Sequence, residues 1–230
     1  MSLYAIGDLH FSTSVNKPMN IFGDNWDNHE IKIIDSWRLK VKPEDTVLVL
    51  GDTSWGINLE EAKSDLDIIS ELPGQKFFVK GNHDYWWTTV TNLNKLYDNC
   101  KFMQTNFYEY GEYAICGGRG WICPNDVKFD SKDEQIYKRE ENRIRISLEA
   151  ARKNGYEKII VVTHYPPTND KLEESLFTRL YEEYKVEKVI YGHLHGRESF
   201  KMGLKGIRNG VEYILASCDY LNFDLIKILD

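Results

Sequence analysis

The sequence predicts an α/β fold with a parallel sheet covered by helices. Strand-like and helix-like segments alternate through the first half of the chain. The strand-like runs are short and almost wholly apolar, as in Val47-Leu48-Val49-Leu50, which suits strands buried on both faces. Between them lie segments with helical periodicity and recognisable caps, and a βαβα order implies helices packed on a parallel sheet.

Taken in order, residues 3–7 read as the first strand. Ile34, Trp37 and Val41 share one face of a following helix, and residues 47–50 form the second strand. Asn58 with Glu61 three residues on marks a helix start. Ala62, Leu66 and Ile69 are that helix's apolar stripe, and Pro73-Gly74 ends it. Residues 77–79 are a third strand. Residues 102–110 and 113–116 flank Gly111-Glu112 and read as a hairpin. Ser131 and Glu134 form a capping box for a long helix that ends near Asn154-Gly155, with Ile144, Leu148 and Ala151 as its stripe. Strands return at residues 158–163 and 186–191, with a helix carrying Leu172, Leu176 and Leu180 between them. Residues 199–202, 206–208, 211–216 and 224–229 read as antiparallel strands. Two long irregular stretches, 11–27 and 117–130, contain Trp26 and Trp121. Aromatics are scarce in disordered segments, so these are expected to be ordered loops near a site.

A length of 230 residues with 42% hydrophobic content supports one domain spanning 1–230. Acidic residues outnumber basic ones by 36 to 29, a formal charge of -7, which argues against a protein that grips nucleic acid through its phosphates. Cys100, Cys116, Cys123 and Cys218 form no CxxC pair and read as reduced thiols. The N-terminus lacks signal-peptide character and no apolar run reaches membrane-spanning length, so a cytoplasmic location without membrane association is expected.

Five of the six histidines fall in four short motifs: Asp8-Leu9-His10, Gly81-Asn82-His83-Asp84, His164, and Gly192-His193-Leu194-His195. Gly51-Asp52 adds a carboxylate. Each motif follows a strand-like run, and in open α/β sheets ligands bind beyond the carboxyl ends of the strands. Asp and neutral His are the preferred ligands of catalytic transition metals, and an Asn carbonyl is a weaker, neutral one. Hydrolysis of a phosphate ester needs a water activated at neutral pH and relief of phosphoryl charge. Two metals roughly 3.5–4 Å apart supply both, with a bridging carboxylate for which Asp52 is the natural candidate. Any one motif has an ordinary reading: a strand-end histidine, a turn Asp, an Asn capping a glycine turn. Arriving together, they indicate a metal site. His29, at a helix start, reads as a surface residue.

These motifs, in this order from residue 7 to 195, resemble those of the calcineurin-like metallophosphoesterase superfamily. The resemblance implies a four-layer α/β/β/α sandwich, two mixed sheets flanked by helices with the site at the top, and the antiparallel C-terminal strands would belong to the second sheet. It implies that Asp8, His10, Asp52 and His195 hold one divalent metal, and that Asp52, Asn82, His164 and His193 hold the other. Manganese, iron, zinc, nickel and cobalt all suit such a site. His83 would face substrate as general acid or electrostatic stabiliser. The nucleophile would be a metal-bridging hydroxide, without a covalent phospho-enzyme, acting on a small phosphorylated substrate as phosphatase or phosphodiesterase.

The chain departs from the eukaryotic-type Ser/Thr phosphatases of that superfamily. Trp55 stands where an Asp would pair with the catalytic histidine, and Gly56 stands where an Arg would bind phosphate. This argues against a protein phosphatase of that kind and leaves the partner of His83 open. Arg119, in Gly117-Gly118-Arg119-Gly120-Trp121, is a candidate replacement phosphate ligand. Trp55, Trp86 and Trp87 flank the motifs as packing residues, and any of them that faces the site would suit a flat substrate group. Two other functions compete. One is a catalytically weak protein-binding scaffold on the same fold, which would tolerate missing ligands where none is missing here. The other is a nuclease, against which the acidic balance stands.

Overall fold

The computed structural model describes residues 1–230 apart from Asp126 and Lys128. In chain order the elements are β1 (Leu3–Ile6), α1 (His29–Lys40), β2 (Thr46–Val49), α2 (Leu59–Glu71), β3 (Gln75–Val79), the single turn α3 (Val90–Leu93), β4 (Cys100–Met103), β5 (Phe107–Tyr110), β6 (Tyr113–Gly118), α4 (Ser131–Lys153), β7 (Lys158–Thr163), α5 (Leu176–Glu183), β8 (Lys188–Tyr191), α6 (Arg197–Lys201), β9 (Gly206–Arg208), β10 (Val211–Leu215) and β11 (Ile226–Leu229). One sheet has the order β11-β1-β2-β3-β4 and the other β5-β6-β7-β8-β10-β9. Strands β1 to β4 run parallel, as do β6, β7, β8 and β10; antiparallel β11, β5 and β9 close three of the four edges, and parallel β4 forms the fourth.

The period of two along each strand separates three apolar layers. Leu3, Ala5, Leu48, Leu50, Phe77 and Val79 join Ile115, Ile160, Val162 and Ile190 between the sheets. Their alternates Tyr4, Ile6, Val47, Val49 and Phe78 pack with Ile33, Trp37, Ala62, Leu66 and Ile69 of α1 and α2. On the other side Ala114, Cys116, Ile159, Val161 and Val189 meet Ile144, Leu148 and Ala151 of α4 and Phe177 and Leu180 of α5. This is the expected four-layer sandwich, and strands buried on both faces explain the unbroken apolar runs. All four cysteines are free and buried. Among the described residues no helix is long and apolar enough to cross a membrane.

Several local expectations are corrected. Residues 102–110 are not one strand: β4 pairs with β3 in the first sheet and β5 with β6 in the second, and the chain changes sheet at a bend where Asn106 Oδ1 accepts from the Gln104 amide at 3.1 Å. The hairpin turn at Gly111 is as expected, with φ of 56°. The long helix is capped one residue earlier than Ser131. The Asp130 carboxylate accepts from the Lys132 and Asp133 amides, and the Asp133 carboxylate in turn accepts from the Asp130 amide. Residues 199–202 lie in or next to α6, not in a strand; so short a segment carries no usable periodicity. Finally, β10 runs parallel to β8 and β11 joins the first sheet beside β1, so the C-terminal strands are neither all antiparallel nor all in the second sheet.

Candidate metal centre

All parallel strands present their carboxyl ends at one edge of the sandwich, and the motifs follow them there. The turns beyond the strands are hydrogen-bonded to one another. The Asp8 amide donates to the Gly51 carbonyl at 3.0 Å, His10 to Asp52 at 2.9 Å and Gly192 to His164 at 3.1 Å. The two sheets are joined at this edge where Gly7 donates to Ala216 at 2.7 Å and Cys218 donates to Gly7 at 2.9 Å. Four predicted ligands sit in left-handed backbone: Asp8 (φ 60°), His10 (49°), Asp52 (49°) and His193 (70°). Such conformations cost non-glycine residues about 1–3 kcal/mol each and persist where the surroundings hold them. The glycines preceding the ligands have a steric reason. A Cβ on Gly81 would lie 2.1 Å from Asp52 Oδ1, and one on Gly192 would lie 2.5 Å from Asp8 Oδ2.

The seven predicted ligands converge. Asp8, His10 and His195 offer donor atoms within 4.8 Å of one another, as do Asp8, Asp52 and His164. His195 Nε2 lies 3.5 Å from Asp8 Oδ1, and Asp52 Oδ2 lies 3.9 Å from His10 Nε2 and 3.5 Å from His164 Nε2. His164 Nε2 is also 2.7 Å from Asn82 Oδ1 and 3.1 Å from His193 Nδ1. Both carboxylates therefore face both halves of the cluster, and Asp8 as well as Asp52 stands between the two groups. Asp8 is anchored by the His193 amide, which donates to both its oxygens at 3.1 and 2.9 Å. His164 Nδ1 is fixed on the Leu50 carbonyl at 2.9 Å. His10 Nδ1 is buried and has no hydrogen-bond partner among the described residues. Clustered oxygens, imidazole nitrogens and an unpartnered ring nitrogen form a donor set that fits divalent metal ions.

The charges point the same way. Burial pushes the Asp8 carboxyl up, but His195, then His164 and His10, outweigh it and hold Asp8 well below the usual carboxylate range. Burial, then the charge of Asp8, pushes Asp52 up to about 8. Burial opposes the imidazolium of His195, yet Asp8 and Asp219 carry it up to about 10. Burial keeps His10 and His164 neutral, and burial with His164 takes His193 down to about 3. Neutral imidazoles are the form that binds metal.

A cavity of about 370 Å³ opens over the cluster, lined by His10, Asp52, His83, His193, His195 and Asp219 and walled by Met19, Phe22, Trp26 and Trp55. The stretch 11–27 is thus an ordered loop at the site, as expected. Trp55 stacks on His10 (4.8 Å, 21°) and leans on His83 at 4.6 Å, while Trp86 and Trp87 are buried in the core. His83 faces the cavity half-buried, and burial lowers its pKa. Asp84 turns away from it. Its carboxylate accepts from the amides of Asp52 (2.9 Å), Thr53 (2.8 Å) and Gly81 (2.7 Å) and from the Trp86 indole (3.0 Å). Arg119 does not line this cavity. Its carbonyl accepts from the His164 and Tyr165 amides, while its guanidinium lies against Trp121 and 3.5 Å from Glu140. A larger hollow of about 700 Å³ opens at the opposite end of the sandwich, at the amino ends of β2 and β3, and holds none of the predicted residues.

Two residues at the site escaped the sequence reading. Asp219 Oδ1 lies 2.9 Å from His195 Nδ1, and its other oxygen accepts from the Gly196 amide at 3.1 Å. The available signal was an acid just after the apolar run 211–216, the same signal that marked the other ligands. Taking that run as antiparallel put its end at the wrong edge. His29 is not on the surface. It is 6% exposed, with Nε2 3.2 Å from the His10 carbonyl and its ring against Trp26. The loop that folds over the site covers it.

Residues 1–197 match the model of the calcineurin-like phosphoesterase family. The chain is 25% identical over 190 residues to the Gene 66 protein of Mycobacterium phage L5, covering 82% of this chain and 74% of that protein. It is 25% identical over 189 residues to an uncharacterized protein of Methanocaldococcus jannaschii, covering 82% and 96%. Two solved structures share the fold. A protein of unknown function from Aquifex aeolicus has a TM-score of 0.53 at 21% identity, with 98% and 95% of the chains covered. The phosphopantetheinyl hydrolase of Mycobacterium tuberculosis has a TM-score of 0.56 at 16% identity, with 99% and 95% covered. With the family's motifs gathered at one sheet edge and the match running over most of its length, the chain belongs to the calcineurin-like phosphoesterases.

Proposed function

We propose that the whole chain is one domain that hydrolyses a small phosphoester with two divalent metal ions. The observation that carries this is the convergence of Asp8, His10, Asp52, Asn82, His164, His193 and His195 beneath one cavity, with two overlapping groups of donor atoms. Asp8, His10, Asp52 and His195 would hold one ion and Asp52, Asn82, His164 and His193 the other. Such a pair, when bound, lowers the pKa of water and draws charge from phosphoryl oxygens. The hydrolase named for the Mycobacterium tuberculosis protein of similar fold is consistent with that class of reaction.

The remaining work falls to the chain's own groups. His83 reaches the cavity from beside Asp52, held by its amide on Asp52 Oδ1 at 2.7 Å and by packing against Trp55. From there it can donate a proton to the departing alkoxide or stabilise its charge. Trp55 takes the orienting place that a carboxylate would fill, by packing instead of by a hydrogen bond. The walls of Met19, Phe22, Trp26 and Trp55 exclude water from one side and offer apolar surface to the alcohol portion of the ester.

Turnover of a phosphomonoester and a phosphodiester chromogenic substrate, measured with manganese, tests the reading. Asp52→Asn and His193→Ala should abolish turnover, and unchanged rates in both would overturn it. His83→Gln should keep metal content while lowering kcat by about 10²–10⁴. An equal loss of metal would remove His83 from that role.

A further inference from the structure

A second cleft, of about 250 Å³, shares no lining residue with the metal cavity and carries a concentration of positive charge on an acidic protein. Lys80 follows β3 and Arg119 follows β6, while Arg139 and Arg143 stand one turn apart on α4, and all four side chains line it. The two nearby carboxylates do not balance them. Glu140, 1% exposed, is shared among Arg143 (2.7 Å), Arg119 (3.5 Å) and Arg139 (3.9 Å), and Asp84 is already saturated by four donors. Four cations against two carboxylates leave a surplus of two charges. Among the described residues the Lys80 side chain has no hydrogen-bond or ion-pair partner. Trp87 also lines the cleft and is 8% exposed, and its buried indole N–H has no partner either.

Cations gathered at the expense of mutual repulsion, with donors left over, are the arrangement that oxyanion recognition requires. Guanidinium groups match phosphate oxygens in pairs. The volume falls below the roughly 300–1,000 Å³ typical of pockets for drug-sized ligands, so a compact anion suits it better than a whole nucleotide. We propose that this cleft is a binding site for a phosphate-type oxyanion, free or as the terminal phosphate of a larger ligand, separate from the metal centre. It abuts the metal-binding turns: Lys80 precedes Gly81-Asn82, and the Arg119 carbonyl accepts from the His164 amide at 3.1 Å.

The test is calorimetric titration of the full chain with pyrophosphate, without added metal. Orthophosphate and adenosine triphosphate in parallel separate a free anion from a terminal group. The chosen substitutions, Lys80→Gln with Arg139→Gln, spare the buried Glu140–Arg143 pair, and circular dichroism checks their fold. Pyrophosphate should bind to the wild-type chain and to His10→Ala alike, and at least tenfold more weakly to the double variant. Preferred binding of adenosine triphosphate would identify the terminal group as the ligand, and preferred binding of the inorganic ions would identify a free anion. Absence of binding at millimolar pyrophosphate would overturn the proposal. So would binding that His10→Ala abolishes and the double variant keeps.

Discussion

Replacing Asp84 by Ala should destabilise the protein and loosen its metal site together, because this buried side chain ties two of the ligand-bearing turns. It accepts four hydrogen bonds, three of them from the backbone at Asp52, Thr53 and Gly81. Hydrogen bonds to a charged acceptor contribute about 1.5–3 kcal/mol each. The simple sum overstates the cost, since water can enter the space a carboxylate leaves. Burial and the neighbouring Asp52 also push Asp84 up to about 6, so part of the bonding offsets the expense of an ionised buried group. Leaving buried donors without an acceptor costs about 1–3 kcal/mol each; with water meeting some of the four, the loss should be about 3–5 kcal/mol, which for a chain of this size lowers the Tm by roughly 6–20 °C. Trp86→Phe removes one donor of the four and shrinks a fully buried side chain, so it should cost about 1.5–3 kcal/mol, less than Asp84→Ala. Urea unfolding of chelator-treated protein, at a pH above the raised value of Asp84, measures both. A loss under 1 kcal/mol for Asp84→Ala, or equal losses for the two variants, would refute the claim that the carboxylate holds the turns.

Asp219→Ala should weaken metal binding about 10–100-fold by freeing the ring of His195, whereas Asp219→Asn, which keeps an acceptor, should lose less. Competition with a fluorescent chelator reads this, and equal affinities for all three proteins would show that Asp219 does not orient a ligand. Metal binding should also be steeply pH-dependent. Asp52 and His195 are both raised above their ordinary values, to about 8 and about 10, so near neutrality each holds a proton that a metal must displace, and affinity falls as pH falls. His10, His164 and His193 are lowered and release nothing. Calorimetry in two buffers of different protonation enthalpy should find about two protons released near pH 7 on metal loading, and a release near zero would contradict the charge assignment.

The layers of the fold were legible because strands covered on both faces write uninterrupted apolar runs, and because helices such as α2 announce their caps, as Asn58 does by accepting the Glu61 amide at 3.0 Å. The ligands were legible because chemistry demands their types and strand ends position them. What stayed hidden depends on pairing at a distance. Whether β10 lies parallel to β8 is decided by the crossover through α6 and β9, and no local pattern records it; Asp219 was lost with it. The sheet change between β4 and β5 likewise leaves no mark beyond a few polar residues. His29 looks like an exposed helix start in sequence because the residues that bury it, Trp26 and Phe223, come from a loop before it and the chain end nearly two hundred positions later.

The central claim is a pair of metal ions that share the Asp52 carboxylate, and electron paramagnetic resonance of the manganese-loaded chain tests it most directly. Two ions per chain with the multiline spectrum of an exchange-coupled pair, lost in Asp52→Asn, is the expected result. Saturation at one ion per chain, or two ions giving only isolated mononuclear signals, would contradict it.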